Sequence, residues 1–223
     1  MTEKKTIAIL GGTGQLGPGL ALRWALSGHR VIIGSRQAEK AQGVAAELNA
    51  ELGSGAIEGM QNRAAAGQAD ICVLTVDQDA HQAALESVKT EVQGRILVDT
   101  TARLCLPDLT PPAPPAAAQL AQLWLGPAVR VVAAFQTVPA VSLRKNIDQP
   151  LDADVLVCAD DAAAAEEVMA LGRDAGLQAY YAGTLDKAIV VEGLTSILVS
   201  MNKHYKSRHG TFKVAGIPAK KSA

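Results

Sequence analysis

The chain has 223 residues, 48% of them hydrophobic, enough to bury one large core or one core with a small second layer. Its 21 Lys and Arg nearly balance 22 Asp and Glu, which excludes the broad positive field that draws proteins to nucleic acid and makes small molecules the expected partners. After the charges of Glu3-Lys4-Lys5 the apolar stretch Thr6 to Leu10 is too short for a signal peptide or a membrane span.

Ile7-Ala8-Ile9-Leu10 reads as a strand stopped by Gly11-Gly12, and apolar residues at helical spacing from Leu16 to Leu26 read as a helix ending at Ser27-Gly28. Val31-Ile32-Ile33 restarts a strand, and the Ala, Glu and Lys-rich run Ala38 to Leu52 is a helix with its stop at Gly53-Ser54-Gly55. A helix near Asn62 to Gln68, a strand Ile71 to Val76, a helix Asp79 to Thr90 and a strand Ile96 to Asp99 follow. This alternation predicts an α/β fold, a Rossmann-type doubly wound parallel sheet covered on both faces.

From Arg103 to Pro115, prolines 107, 111, 112, 114 and 115 forbid both helix and central strand and predict a loop over the cleft. Strands Val129 to Phe135 and Asp154 to Ala159, a helix Asp161 to Ala175, a strand Gln178 to Tyr181 and a last helix Leu185 to Tyr205 complete the chain, the last as a small C-terminal helical extension. Cys72 and Cys158 lie inside apolar runs, and the three cysteines, with Cys105, are expected to be buried thiols of a reducing compartment.

Gly12-Thr13-Gly14-Gln15-Leu16-Gly17 fits G-x-G-x-x-G and stands between a predicted strand and a predicted helix. Such glycines let a turn tighten and the backbone approach a pyrophosphate, whose charge then meets unpaired amides of the helix N-terminus. The plainer reading is a tight turn without a ligand. NAD-preferring domains carry Asp or Glu at the end of the second strand, whereas this chain has Gly34-Ser35-Arg36, with Lys40 one helical turn on. Ser35, Arg36 and Lys40 fit a 2′-phosphate, hence NADP(H); otherwise they are a solvated helix start.

Thr75-Val76-Asp77 ends the next strand, where backbone groups would flank the nicotinamide. Asp77, Asp79 and His81 could be mistaken for an acid/base or metal cluster and read instead as a helix cap with favourably placed carboxylates. Asp99-Thr100-Thr101 is either polar groups facing the cleft or a turn, and Asp99 is not assigned a catalytic role. His29, His204 and His209 show no metal-ligand spacing, so no metal is expected. The basic stretch Lys203 to His209 is a solvated helix end or a lure for an anionic tail on a second cofactor.

At Gly11 to Gly17, at Gly34-Ser35-Arg36 and again at Ala134-Phe135-Gln136-Thr137-Val138-Pro139-Ala140, the chain resembles the NADPH-dependent reductases of the deazaflavin coenzyme F420. Gly19 to Arg23, Val73-Leu74-Thr75-Val76 and Glu192-Gly193-Leu194-Thr195 extend the resemblance over nearly the whole length. It implies a cytoplasmic enzyme, often dimeric, with nicotinamide and deazaflavin rings stacked face to face. Carried onto this chain, it places Thr13, Gln15 and Leu16 at the pyrophosphate, Ser35, Arg36 and Lys40 at the 2′-phosphate, and Val76 and Ala140 near the nicotinamide. The deazaflavin would lie over Gln136 to Pro139, Val138 included, under the C-terminal helix. Gln136 stands where members often have His, and Asp77 where an archaeal-type member has Pro.

The resulting expectation is a Rossmann domain for NADP(H) over residues 1–150, a smaller part over 151–217 that completes the F420 pocket and a homodimer interface, and a flexible tail over 218–223. Direct hydride transfer between two rings needs no general acid or base at the reacting carbons, so catalysis would be mainly positioning, with an electrostatic contribution from Gln136. Two other readings remain open at this point: an NADP-dependent dehydrogenase or imine reductase acting on a small substrate, and a non-catalytic NADP sensor.

Overall fold

The computed structural model describes residues 3–105 and 107–218, so residues 219–223 of the expected tail lie outside the described residues. Strands β1 (Thr6–Leu10), β2 (Arg30–Ser35), β3 (Ile57–Gln61), β4 (Ile71–Leu74), β5 (Ile96–Asp99), β6 (Arg130–Ala133), β7 (Asp154–Ala159) and β8 (Gln178–Gly183) join one sheet. Its order is β3-β2-β1-β4-β5-β6-β7-β8, and the direction of winding reverses between β1 and β4, the point where open α/β sheets hold ligands.

The strands alternate because both faces are covered. Ile7, Ile9, Val31, Ile33, Val73 and Val98 pack with helices α1 (Leu16–Leu26), α2 (Ala38–Leu52) and α7 (Ala162–Asp174) on one side. Ala8, Leu10, Ile32, Cys72, Leu74 and Leu97 pack on the other with α3 (Asn62–Gln68), α4 (His81–Val88), α5 (Ala117–Leu125) and α8 (Ala188–His204). Apolar side chains on both faces explain why the strands read as continuous hydrophobic runs.

The sheet is parallel from β3 to β6, but β7 runs antiparallel to β6, which the strand and helix alternation did not foresee. The two pair only through Val132↔Ala159 and Ala133↔Cys158. Most of β7, with β8 parallel to it, therefore projects beyond the carboxyl end of β6 and walls that edge of the sheet. The segment between β6 and β7 carries the short helix α6 (Ala140–Leu143) and stays on the cleft side of the molecule.

Two elements had no signal in the sequence reading. Edge strand β3 has one strongly apolar residue, Ile57, and is tied down by Asn49, whose Nδ2 donates to the Ile57 carbonyl at 2.7 Å while its Oδ1 accepts from the Ile57 amide at 3.0 Å. Helix α5 follows the proline loop without a capping Ser, Thr, Asp or Asn. Its Ala117 amide instead donates to Oε1 of Glu192, a fully buried residue of α8. The other Glu192 oxygen accepts from Arg103 Nε at 3.0 Å, so one carboxylate joins the proline loop, α5 and α8. Burial raises the Glu192 pKa, and the hydrogen bonds from Ala117 and Arg103 oppose that rise.

Arg23 of α1 is a second tertiary anchor. Its guanidinium is 2% exposed and donates to the carbonyls of Leu143, Lys145, Asn146, Gln149 and Ala175. Cys72 and Cys158 are buried as expected, and burial pushes their thiols up to about 12 and about 11. Cys105 departs from that expectation: it is exposed, because the proline loop carries it away from both cores.

Candidate functional site

The site grows from the turn after β1. Gly11 adopts φ +72°, where L side chains are strained, and a Cβ there would meet Val76 Cγ1 at 2.4 Å. At Gly17 a Cβ would stand 2.5 Å from the Gly12 carbonyl oxygen, so α1 approaches the turn closely only because no side chain intervenes. The Gly12 amide donates to the carbonyls of Ile9 and Gly34, which fastens the turn to the ends of β1 and β2. Asn62, 8% exposed at the start of α3, accepts from the Gly11 amide through Oδ1 at 3.1 Å. The sequence reading passed over Asn62; its only cue was a polar side chain opening a short helix.

A cleft of about 1130 Å³ opens at this edge of the sheet. Of the predicted site residues, Thr13, Gly14, Gln15, Leu16, Ser35, Arg36, Lys40, Thr75 and Val76 all line it. Gly12 and Gly17 are buried behind the lining and shape the turn. Gln136, Val138, Pro139 and Ala140 are not among the lining residues; they follow β6 at the adjoining edge of the sheet.

The donor set at the two ends of the cleft is distinct. At the β2 end, Ser35 is buried and its Oγ accepts from the Gln37 amide at 3.3 Å, which leaves its hydroxyl proton free to donate outward. Arg36 and Lys40 are exposed beside it, and neither has an ion-pair partner among the described residues. In the middle, the first amides of α1 have no carbonyl within their own helix to serve, which makes that turn a place for an anion.

At the β4 and β5 end, the cleft is bordered by Thr75, Val76, Thr100 and Thr101. The helix-cap reading holds in position for Asp77, at the N-cap, and for Asp79, in the first turn, but not for the capping hydrogen bond or for His81. A single 3-10 turn, Gln78–Ala80, precedes α4, Asp77 makes no capping hydrogen bond, and His81 is buried with Nε2 2.7 Å from Asp99 Oδ2. The His81 ring lies against that of Trp124, with 5.8 Å between centroids. Asp99 is fully buried, and its Oδ1 accepts from the Thr101 amide.

The segment beyond β6 begins at Phe135, whose left-handed φ of +70° is held by edge-on packing against Trp24, with centroids 5.9 Å apart. That turn carries Gln136 under Asp99, whose backbone carbonyl accepts from Gln136 Nε2 at 3.2 Å. Thr195 of α8 donates to the Gln136 carbonyl at 3.2 Å, which brings the last helix against this segment. Gln136 Oε1 and Thr101 Oγ1 are buried and find no hydrogen-bond partner among the described residues. Gln78 of the 3-10 turn bonds the Leu104 backbone in both directions, at 3.1 and 2.6 Å, which clasps the proline loop to the cleft wall.

Among the described residues no group of His, Cys, Asp and Glu could hold a metal ion, and no helix is long and apolar enough to cross a membrane. A family model described as NADP oxidoreductase, coenzyme F420-dependent, matches residues 6–103, which span the glycine turn, the β2 end and the cleft. The chain is 34% identical to the F420-dependent NADP reductase of Methanothermobacter thermautotrophicus, with 95% of each chain covered. It is 35% identical to that of Methanothermobacter marburgensis, over 95% of this chain and 99% of the relative. The crystal structure of a protein from Arthrobacter sp. FB24, described as an F420-dependent NADP reductase, superposes with a TM-score of 0.80 at 27% identity, covering 95% of this chain and 99% of that one. With the similarity running through both the cleft and the β6-to-α8 region, the chain belongs to the family of coenzyme F420-dependent NADP oxidoreductases.

Proposed function

We propose that this protein transfers hydride directly between NADP(H) and coenzyme F420. The observation that carries the reading is the pairing of buried Ser35 with unpartnered Arg36 and Lys40 at the β2 end of the cleft. This donor set fits a 2′-phosphate, and no carboxylate stands at that strand end to select the 2′-hydroxyl of NAD.

When bound, the nicotinamide and deazaflavin rings supply the whole of the redox chemistry, one giving and the other taking a hydride. The protein's residues bind and orient. Thr13 to Leu16, with the first amides of α1, hold the pyrophosphate, and Thr75, Val76 and Ala140 flank the nicotinamide. Gln136, Val138 and Pro139 support the deazaflavin, and the N–H donors of Gln136, its backbone amide and the Nε2 proton not given to the Asp99 carbonyl, counter the negative charge that develops there. The proline loop, clasped by Gln78, and α8, bound through Thr195, keep water from the two rings.

This chemistry asks for no proton donor at the reacting carbons. The small-substrate reductase reading does ask for one; His81 is buried with its Nε2 on Asp99, and the acids that line the cleft are the exposed Asp77 and Asp79. The test is absorbance at the deazaflavin visible band after mixing the protein with oxidised F420 and NADPH, then NADH. Bleaching that is fast with NADPH and much slower with NADH is the expected result. No bleaching despite measurable NADPH binding would overturn the assignment and favour a small-substrate reductase or an NADP sensor.

The partners in this reading are small redox molecules, the location is cytoplasmic, and the protein is a homodimer through α8. Val190, Ile197 and Met201 expose apolar side chains at helical spacing along that helix, and Tyr205 continues the row at its C-cap. Light scattering at micromolar concentration is expected to give a dimer mass, and Ile197→Glu to give a monomer. A monodisperse wild-type monomer would refute the interface.

A further inference from the structure

Several surface cations of this chain face carboxylates, among them Arg30 with Glu58, Arg63 with Glu91, Arg144 with Glu51 and Lys213 with Asp152. Among the cations that have no carboxylate partner in the described residues, two sets stand together. One is Arg36 and Lys40 on the cleft. The other joins Lys145, just after α6, by way of the His209 ring to the basic stretch that follows α8, Lys206 and Arg208, with Lys203 in the last helical turn.

Backbone and side-chain hydrogen bonds build this second set. Asn202 accepts from the Ser207 amide through its carbonyl and from the Gly210 amide through Oδ1, both at 2.9 Å, which folds residues 207–210 back against the end of α8. The His209 ring then reaches across to the α6 segment, with Nδ1 2.9 Å from Ser142 Oγ and Nε2 3.4 Å from Lys145 Nζ. An ammonium can only donate, so Nε2 is the acceptor and the imidazole proton is on Nδ1, toward Ser142. The acids in this neighbourhood are otherwise engaged: Glu51 holds Arg144, and Asp152 holds Lys213. Asp148, exposed in the same loop as Lys145, accepts from Gln149.

A helix C-terminus attracts cations, which accounts for Lys203 and His204 in the last turn. It does not account for Lys145, which comes from a different segment and is held at His209 without a carboxylate between them. The position matters as well, since Ser142 and Lys145 lie within six residues of Pro139 and Ala140, the segment placed beside the two rings. We propose that Lys145, Arg208 and His209, with Ser142, form a binding site for the anionic tail of the second substrate, phosphodiester and carboxylate groups that the deazaflavin core lacks. This site rests on the F420 reading above. It serves affinity and leaves hydride transfer itself to the cleft.

The experiment compares KM for coenzyme F420 with KM for the tail-free deazaflavin, both with saturating NADPH, in wild type and in Lys145→Glu and Arg208→Glu. Reversing either charge is expected to raise the ratio of the two KM values by about tenfold, an effect of this size following from the loss and inversion of one partly exposed ionic contact. Raising ionic strength is expected to raise the wild-type KM for F420 and to leave that of the tail-free substrate level. An unchanged ratio, or equal weakening of both substrates, overturns the tail site while turnover of the tail-free deazaflavin still upholds the hydride-transfer reading. Failure of the wild type to turn over either deazaflavin overturns both.

Discussion

The double variant Arg36→Ala/Lys40→Ala binds NADPH at least about a hundredfold more weakly than wild type and binds NADH as before, in the expected outcome of a titration with each nucleotide. A hydrogen bond to a charged group contributes about 1.5–3 kcal/mol, so two cations on one phosphate reach this magnitude without any help from Ser35. Neither cation touches a carboxylate in the described residues, and both are exposed, so their removal leaves the fold intact. The variant should keep the melting temperature of the ligand-free protein. Equal weakening of NADPH and NADH would mean that these cations sense total nucleotide charge, and the 2′-phosphate assignment would fall.

Arg23→Met is the second large effect, and it falls on stability. Methionine keeps most of the side-chain length but offers no donors to the carbonyls of Leu143, Lys145, Asn146, Gln149 and Ala175. Burial lowers the pKa of the guanidinium, with Asp148 acting in the opposite direction, so the charge is held at a cost that the five acceptors and Asp148 offset. Their loss is expected to cost about 3–5 kcal/mol in urea unfolding, below the sum of five bonds because water reaches some of these carbonyls. Amides of residues 140–150 should exchange faster in the variant, since Arg23 is what ties this segment to α1. A change under about 1 kcal/mol would show that the segment is held by its own packing.

The part of the cleft built on the glycine turn and the β2 end was legible because its physics is local. The glycine turn, the strand before it and the helix after it are consecutive in sequence, and Ser35, Arg36 and Lys40 occupy one strand end and one helical turn. The elements that the sequence reading passed over lack such local cues. Strand β3 takes its place from Asn49 across the α2–β3 connection, and α5 takes its N-terminal cap from Glu192, 75 residues downstream. The antiparallel turn into β7 likewise depends on where α6 and Arg23 hold the chain after β6.

His81 shows the same division within one residue. Read along the chain, a histidine two residues after Asp79 belongs to a cap; in the fold it is buried against Asp99, 18 residues away. By itself the sequence determined the βαβ core, the glycine turn and the cationic character of the β2 end of the cleft, because alternation, chain-reversing glycines and charge type act over a few residues. Only the tertiary structure decided which polar groups are consumed inside the protein and which are left free, since a side chain's hydrogen bonds are settled by whatever distant segment packs against it.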